Sequence, residues 1–277
     1  MGGRGKPTPN RFKSSSYSCL FNSSGASLVL SLSFIPILTR LYDPESNTVS
    51  EENYIVPKWP KYYEAVGSDP AYPIHGSKIF CSGHCFLPDG KLLVAGGELE
   101  NPYPNSYLPI APDRGLRYSF IFDPEPVVNP GPPDPATDFW SITGPAFNPH
   151  IMQKGRWYPT LTLLHNGTVL AMAGLTDEVV PNPYIPPGGF KVLFNSIPEI
   201  YNANAIPPGW SSNLIGDAQL PIDIFYSYPY AHVIPLGNRA GKVFYASTQL
   251  VPDDISPPNY TDGYSQIFDP FTGSVPF

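Results

Sequence analysis

The sequence predicts an all-β fold, specifically an incomplete β-propeller made of four-stranded antiparallel blades. Proline accounts for 37 of the 277 residues and is spread along the chain. Because proline breaks helices and interrupts strand ladders, short strands joined by many turns are expected. Two sequence blocks that are typical of strands and turns recur along the chain. Helical periodicity is not convincing over any window of 11 residues.

The first repeated block has the pattern of a hairpin. Leu87–Gly97 recurs as Leu164–Gly174, and Gly241–Ser247 is a weaker third copy. Asp89-Gly90 and Asn166-Gly167 are dipeptides preferred in two-residue type I′ turns, in which both central residues need a positive φ. Each copy is therefore predicted to contain a strand end, a turn and a second strand, and the turns of the first two copies are predicted to be of type I′.

The second repeated block has the pattern of a third strand that ends in a turn. Its copies are Leu41–Pro44, Ile121–Pro124, Ile200–Ala203 and Ile267–Pro270. Aromatic residues that follow two of these copies, Phe139-Trp140 and Trp210, suit a fourth strand. Four short antiparallel strands make one blade of a propeller.

The repeated unit is long. Successive hairpin turns are about 75 residues apart, against the roughly 50 residues of a kelch-type repeat. The extra residues are assigned to proline-rich loops such as 98–114 and 179–195.

The units divide the chain into three blades and part of another. The tail of one blade falls in about 35–60, two whole blades in 76–145 and 150–212, and a further blade in 222–277. Propellers close with about four to eight blades, so the chain is expected to be a fragment or an early-terminated product. A four-bladed propeller with a degenerate first blade is the alternative.

The N-terminal residues 1–34 are set apart from the partial propeller domain at 35–277. They are basic and serine-rich, and an apolar run from Ala26 to Leu38 follows. That run fits either a signal peptide or a degenerate first strand. It is too short and too serine-rich to span a membrane. Three N-x-S/T sequons, at Asn22, Asn166 and Asn259, favour a secreted protein.

The net charge of −7 argues against a nucleic-acid partner, because no basic field attracts phosphate. The three cysteines, Cys19, Cys81 and Cys85, are too few for a disulfide framework. If Cys81 and Cys85 share one strand, their Cα atoms are roughly 13 Å apart, too far for a disulfide.

Aligning the blades on their turns brings three side chains into register. Cys81 lies nine residues before Gly90, and Tyr158 lies nine residues before Gly167. Tyr228 occupies the same position in the next blade if the loop Leu236–Gly241 carries a four-residue insertion. The innermost strands of a propeller line its channel, so equivalent positions converge near the axis. A thiol and two phenols are therefore expected in one neighbourhood at one mouth of the channel.

The segment Phe80–His84, followed by Leu87–Gly90 and Val94–Gly97, resembles the Phe-Cys blade of galactose oxidase-like and glyoxal oxidase-like proteins. The segment Gly155–Thr160 resembles the Arg-Trp-Tyr motif of the next blade in that family. The resemblance spans about 76–275. It is specific because two rare motifs occur in the right order on the predicted strands.

The resemblance implies a copper-radical oxidase that converts a primary alcohol, aldehyde or carbohydrate substrate with O₂ and yields H₂O₂. It implies that Cys81 and Tyr158 are catalytic residues joined by a thioether, and that Tyr158 is an equatorial copper ligand. The family's copper also needs a Tyr-His pair and a late histidine. This sequence has no Tyr-His pair, and none of its histidines matches a family ligand position: His75, His84, His150, His165 and His232. The chain as written is therefore expected to be inactive.

Two other functions are weighed against the oxidase. A kelch-type scaffold that binds a partner with its loops has the same fold, which alone does not decide function. A glycosidase needs paired carboxylates in a suitable setting, and both candidate pairs, Asp253-Asp254 and Glu98/Glu100, are assigned to loops without one. Simpler roles also compete at single residues. Trp157 fits a core position, Tyr228 fits packing beside the site, His84 fits a strand histidine, and Arg156 fits an ion pair with a carboxylate.

Overall fold

The computed structural model describes residues 18–21, 27–31, 38–49, 54–55, 79–99, 114–126, 139–143, 151–181, 190–206, 208–211, 228–247 and 264–272. Their regular structure consists of β-strands, and these ranges contain no helix. Accordingly, no helix in the described ranges could cross a membrane.

The strands form four principal sheets in chain order. Sheet I contains β1 (Ser18–Phe21), β2 (Ser27–Ser31), β3 (Leu38–Asp43), β4 (Thr48–Val49) and β5 (Tyr54–Ile55). Sheet II contains β6 (Gly83–Phe86), β7 (Leu92–Ala95), β10 (Ser119–Phe122) and β11 (Trp140–Ile142). Sheet III contains β12 (Thr160–Leu163), β13 (Val169–Met172), β16 (Glu199–Asn202) and β17 (Gly209–Trp210). Sheet IV contains β18 (Tyr230–Val233), β19 (Val243–Ser247) and β20 (Tyr264–Phe268).

Sheets II and III confirm the predicted four-stranded antiparallel units. In each, neighbouring strands pair in chain order, and a short two-stranded sheet is inserted after the second strand. The propeller arrangement and the number of blades stay predictions. In sheet I, β2 pairs with β3, so this sheet contains strands from both sides of residue 34. The division of the chain into segments 1–34 and 35–277 stays a prediction.

The inserted sheets correct the interpretation of 98–114 and 179–195 as loops. Sheet II is interrupted by β8 (Glu98–Leu99) paired with β9 (Arg114–Gly115). Sheet III is interrupted by β14 (Leu175–Pro181) paired with β15 (Phe190–Phe194). The pairing register of β14 with β15 shifts between Leu175 and Val179.

The hairpin turns of sheets II and III are not of type I′. Gly90 has a φ of 84°, whereas Asp89 is absent from the residues with positive φ. The Gly90 N–H donates to the Leu87 carbonyl at 3.0 Å, and the Leu87 N–H donates to Lys91 at 2.8 Å. This is a type I turn followed by one left-handed residue, and Gly167 repeats it in sheet III. Asp89 favours this form because its Oδ1 accepts the Lys91 N–H at 3.2 Å.

Replacing Gly90 with alanine is expected to lower the free energy of unfolding by about 1 kcal/mol, since an L-residue is strained in the left-handed region. A Cβ at Gly90 would have no atom within 4 Å, so crowding does not contribute. Urea denaturation measures the loss. Gly90→Asn is the control and should lose less, because asparagine tolerates this conformation. Equal losses in the two variants would contradict this explanation.

The third strand of each of the four principal sheets ends in the same local hydrogen bond. A side-chain oxygen at the strand end accepts the backbone N–H two residues later, at 2.9 to 3.0 Å. The acceptors are Asp43, Asp123, Asn202 and Asp269. These bonds explain why the second sequence block repeats an acidic or amide residue after its aromatic one.

Sheet III packs against sheets II and IV with its two faces, because the side chains of each strand alternate between those faces. Leu93 of β7 lies in a buried cluster with Val169 of β13, which joins sheets II and III. Leu170, the next residue of β13, lies in another buried cluster with Val243 and Tyr245 of sheet IV. A buried hydrogen bond from Trp210 Nε1 to Ser119 Oγ, at 2.8 Å, also joins sheets II and III.

Candidate functional site

Cys81, Tyr158 and Tyr228 occupy equivalent places in sheets II, III and IV. Each lies two residues before the first strand of its sheet: β6, β12 and β18. All three have left-handed backbones, with φ angles of 55°, 67° and 42°. Residues other than glycine seldom adopt this backbone conformation, and those that do are often found at functional sites. The sequence alignment located the equivalent positions, although it placed them within the strands.

Backbone hydrogen bonds connect the three positions across the sheets. The Tyr158 N–H donates to the Cys81 carbonyl at 2.9 Å, and the Tyr228 N–H donates to the Tyr158 carbonyl at 3.0 Å. The longer loop before Gly241 therefore does not disturb the register that was inferred for Tyr228. These bonds hold three residues that are distant in sequence side by side.

The aromatic side chains surround Tyr158. The ring of Trp157 is tilted against it, with centroids 4.6 Å apart. Tyr228 approaches with its edge, at a centroid distance of 5.3 Å and an interplanar angle of 89°. The Tyr228 hydroxyl also donates to the carbonyl of Ser82 at 3.3 Å. Tyr158 therefore has one aromatic neighbour from its own segment and one from the next sheet.

The thiol of Cys81 lies among these rings. Burial raises its pKa, whereas side-chain hydrogen bonds with Tyr158 and Tyr228 act in the opposite direction. Burial is likewise the largest cause of the raised pKa of Tyr228, and the nearby Cys81 adds to it. At neutral pH the site therefore holds a protonated thiol beside a protonated Tyr228 phenol. A reactive thiolate would instead require a lowered pKa.

A buried ion pair supports the segment that carries Tyr158. Arg156 is fully buried and donates from Nη2 to Glu199 Oε2 at 2.7 Å. Its Nη1 donates to the Ala173 carbonyl at 2.9 Å. Glu199 Oε1 accepts the Gln153 N–H at 2.6 Å. The predicted pairing of Arg156 with a carboxylate is confirmed, and it fixes the two residues before Tyr158 against sheet III.

Gly155, the residue before Arg156, is in close contact with the backbones of Gly115 and Asp177. A Cβ on Gly155 would lie 2.1 Å from the Gly115 carbonyl oxygen. The Gly155 N–H donates to Asp177 Oδ1 at 2.7 Å, and Arg117 Nε donates to the other oxygen of Asp177 at 2.6 Å. Asp177 and Glu199 were missed by sequence reasoning, because neither lies in a motif and both reach the segment from later strands.

The described residues do not provide the complete set of ligands that a copper ion needs. Within the described ranges, no group of three or more His, Cys, Asp or Glu side chains is placed to hold a metal ion. His84 lies on β6 with its pKa lowered by burial, and His232 is exposed on β18. His165 contacts the ring of Phe271 at a centroid distance of 5.6 Å. His75 and His150 lie outside the described residues. A thiol and two phenols do not match the nitrogen and oxygen set that Cu(II) prefers.

The fold and the site define an all-β protein in which neighbouring antiparallel sheets bring a thiol into contact with aromatic side chains. A curated protein of related sequence is the aldehyde oxidase GLOX of Vitis pseudoreticulata. It is 25% identical over 203 residues, which are 68% of this chain and 29% of that protein. The chain therefore spans less than a third of the length of its curated relative.

This similarity agrees with the resemblance to glyoxal oxidase-like proteins in the motifs around Cys81 and Tyr158. No protein-family model matches it.

Two of the solved structures that match do so with low structural similarity. A copper-bound fungal alcohol oxidase of the AA5 family has a TM-score of 0.32 at 12% identity, covering 95% of this chain and 66% of its own. A PL25 ulvan lyase has a TM-score of 0.45 at 11% identity, covering 92% of this chain and 52% of its own. TM-scores below 0.5 do not establish a shared fold.

Proposed function

We propose that the chain carries the cysteine and tyrosine half of a copper-radical oxidase centre. In a relative with a complete site, this half serves the oxidation of a primary alcohol or an aldehyde by O₂, which yields H₂O₂. Cys81 and Tyr158 are its catalytic residues, and Tyr158 is also its copper ligand. The three sequons support a protein that acts outside the cell.

The side-by-side placement of Cys81 and Tyr158 carries the proposal, since the Tyr158 N–H donates to the Cys81 carbonyl at 2.9 Å. Their backbones are hydrogen-bonded to each other, so the two side chains start from adjacent, fixed positions. Both residues keep a left-handed φ that favours glycine. Such strain persists only where the surrounding structure holds it, and it is typical of functional sites.

The chemistry within the chain is the formation of a thioether. The Cys81 S–H bond and one ring C–H bond of Tyr158 break, and one C–S bond forms. Two protons and two electrons leave, and an oxidant such as O₂ or persulfate accepts the electrons. The sulfur substituent then makes the phenol easier to oxidise by one electron.

Copper enters this proposal only through the resemblance, because the described residues do not complete a site for it. When bound in a relative, it would supply the second one-electron centre of a two-electron oxidase. The protein's contribution here is to hold the thiol and the phenol together and to keep them partly away from water.

Photo-oxidation of the reduced chain with a ruthenium tris-bipyridyl sensitiser and persulfate is expected to join Cys81 to Tyr158. The product should lose two hydrogens in intact mass. Trypsin should release residues 79–91 covalently linked to residues 157–191. Cys81→Ser and Tyr158→Phe should each abolish that linked peptide. Copper and O₂ alone are expected to leave the mass unchanged, since the sequence has no Tyr-His pair.

Cys85→Ser is the matched control, because Cys85 lies in the same tryptic peptide and is also a free, half-buried cysteine. Burial raises the pKa of Cys85 to about 11. Its removal should leave the cross-link intact. A wild-type chain that never forms the linked peptide would contradict the proposal and favour a scaffold without chemistry.

A further inference from the structure

We propose that Tyr228 is a positioning residue that holds Cys81 and Tyr158 in the geometry in which they join. This inference rests on the proposed function above. Under this inference, Tyr228 affects the rate of the cross-linking reaction, whereas a residue that only packs beside the site would not.

Tyr228 contacts both reacting partners with different parts of one residue. Its N–H donates to the Tyr158 carbonyl, and its ring edge packs on the Tyr158 ring. Its hydroxyl reaches the carbonyl of Ser82, which directly follows Cys81. One side chain therefore spans the gap between the start of sheet II and the start of sheet III.

These contacts constrain different motions. An edge-to-face aromatic pair limits rotation of the Tyr158 ring about its side-chain bonds. The hydroxyl bond to the Ser82 carbonyl holds the Ser82–Gly83 peptide, which adjoins Cys81, and so restrains the backbone that carries the thiol. Because burial keeps the pKa of Tyr228 raised, its hydroxyl stays a donor at neutral pH.

The placement of Tyr228 is not that of an ordinary core aromatic. Tyr228 as a whole residue is 43% exposed, yet its backbone takes a left-handed φ of 42°. A half-exposed tyrosine gains little burial free energy to offset such strain. The contacts with Tyr158 and Ser82 are the features that distinguish this position from Tyr230, which is 74% exposed on the following strand.

The test measures the rate at which the linked peptide forms in the full chain under the photo-oxidation above. Tyr228→Leu removes the ring edge and the hydroxyl, and about a tenfold slower rate is expected. Tyr228→Phe keeps the ring and should be slower by about threefold. Tyr230→Leu is the matched control and should react at the wild-type rate. Cys81 that escapes cross-linking in Tyr228→Leu should be recovered as sulfinic and sulfonic acid.

Urea midpoints separate positioning from folding. Partial rescue by Tyr228→Phe, with midpoints of both variants close to that of Tyr230→Leu, supports the inference. Wild-type rates in both Tyr228 variants would overturn this inference while leaving the proposed function standing. Absence of the cross-link from the wild type would instead overturn both.

Discussion

Glu199→Gln is expected to lower the free energy of unfolding by about 3–5 kcal/mol, the usual cost of leaving a buried charge without its partner. Arg156 and Glu199 are both fully buried and lie 2.7 Å apart. Burial lowers the pKa of Arg156, and the carboxylate of Glu199 opposes this shift. Since small domains are stable by only about 5–15 kcal/mol, much of the folded population should be lost. Urea denaturation followed by tryptophan fluorescence measures this effect.

Glu178→Gln provides the matched control for this prediction. Glu178 also forms an ion pair, with Lys154, but the two side chains are 44% and 34% exposed. Exposed pairs contribute at most about 1 kcal/mol. If the two glutamine variants lost similar stability, burial would not be the source of the effect.

Gly155→Ala is the second large effect, and a loss of about 3 kcal/mol or more is expected from overpacking against rigid atoms. The nearest neighbours of an added Cβ are backbone atoms of Gly115 and Asp177, at 2.1 to 2.8 Å. No side chain can rotate away to make room, so the segments themselves must separate. Thermal and urea melts of the purified variant measure the loss.

Gly90→Ala is the control for Gly155→Ala, because it also adds one methyl group to a glycine of this part of the chain. Its Cβ meets open space, and only its positive φ resists the change. Gly155→Ala should be the more damaging substitution by a clear margin. The reverse order would show that Gly115 and Gly155 are less closely packed than described.

Many of the strands could be predicted from the sequence because the same two sequence blocks recur along the chain, even though each strand is short. The two blocks located β7, β10, β13, β16, β19 and β20. The turn type was predicted wrongly because an Asp-Gly pair suits two different hairpins, and the Asp89 hydrogen bond to Lys91 selects between them. The strands of the inserted sheets were missed because proline-rich stretches such as 179–195 do not show strand periodicity.

The candidate site was only partly accessible to sequence reasoning. Counting back from each turn brought Cys81, Tyr158 and Tyr228 into one register, and the structure joins them by backbone hydrogen bonds. Their left-handed backbones could not be predicted, because no local rule gives a cysteine or tyrosine a positive φ. The partners of the Gly155-Arg156 segment, Asp177 and Glu199, depend on how distant strands dock.

The adjacency of Cys81 and Tyr158 has a consequence for the unfolded chain. A covalent bond between them would close a loop of about 77 residues, and chain-entropy arguments assign such a closure about 4.5 kcal/mol of stabilisation. The two residues start different sheets, so the bond can form only after those sheets have docked. Oxidation would then replace a reversible tertiary contact with a covalent bond, and that bond would be found only in chains that had reached the native topology.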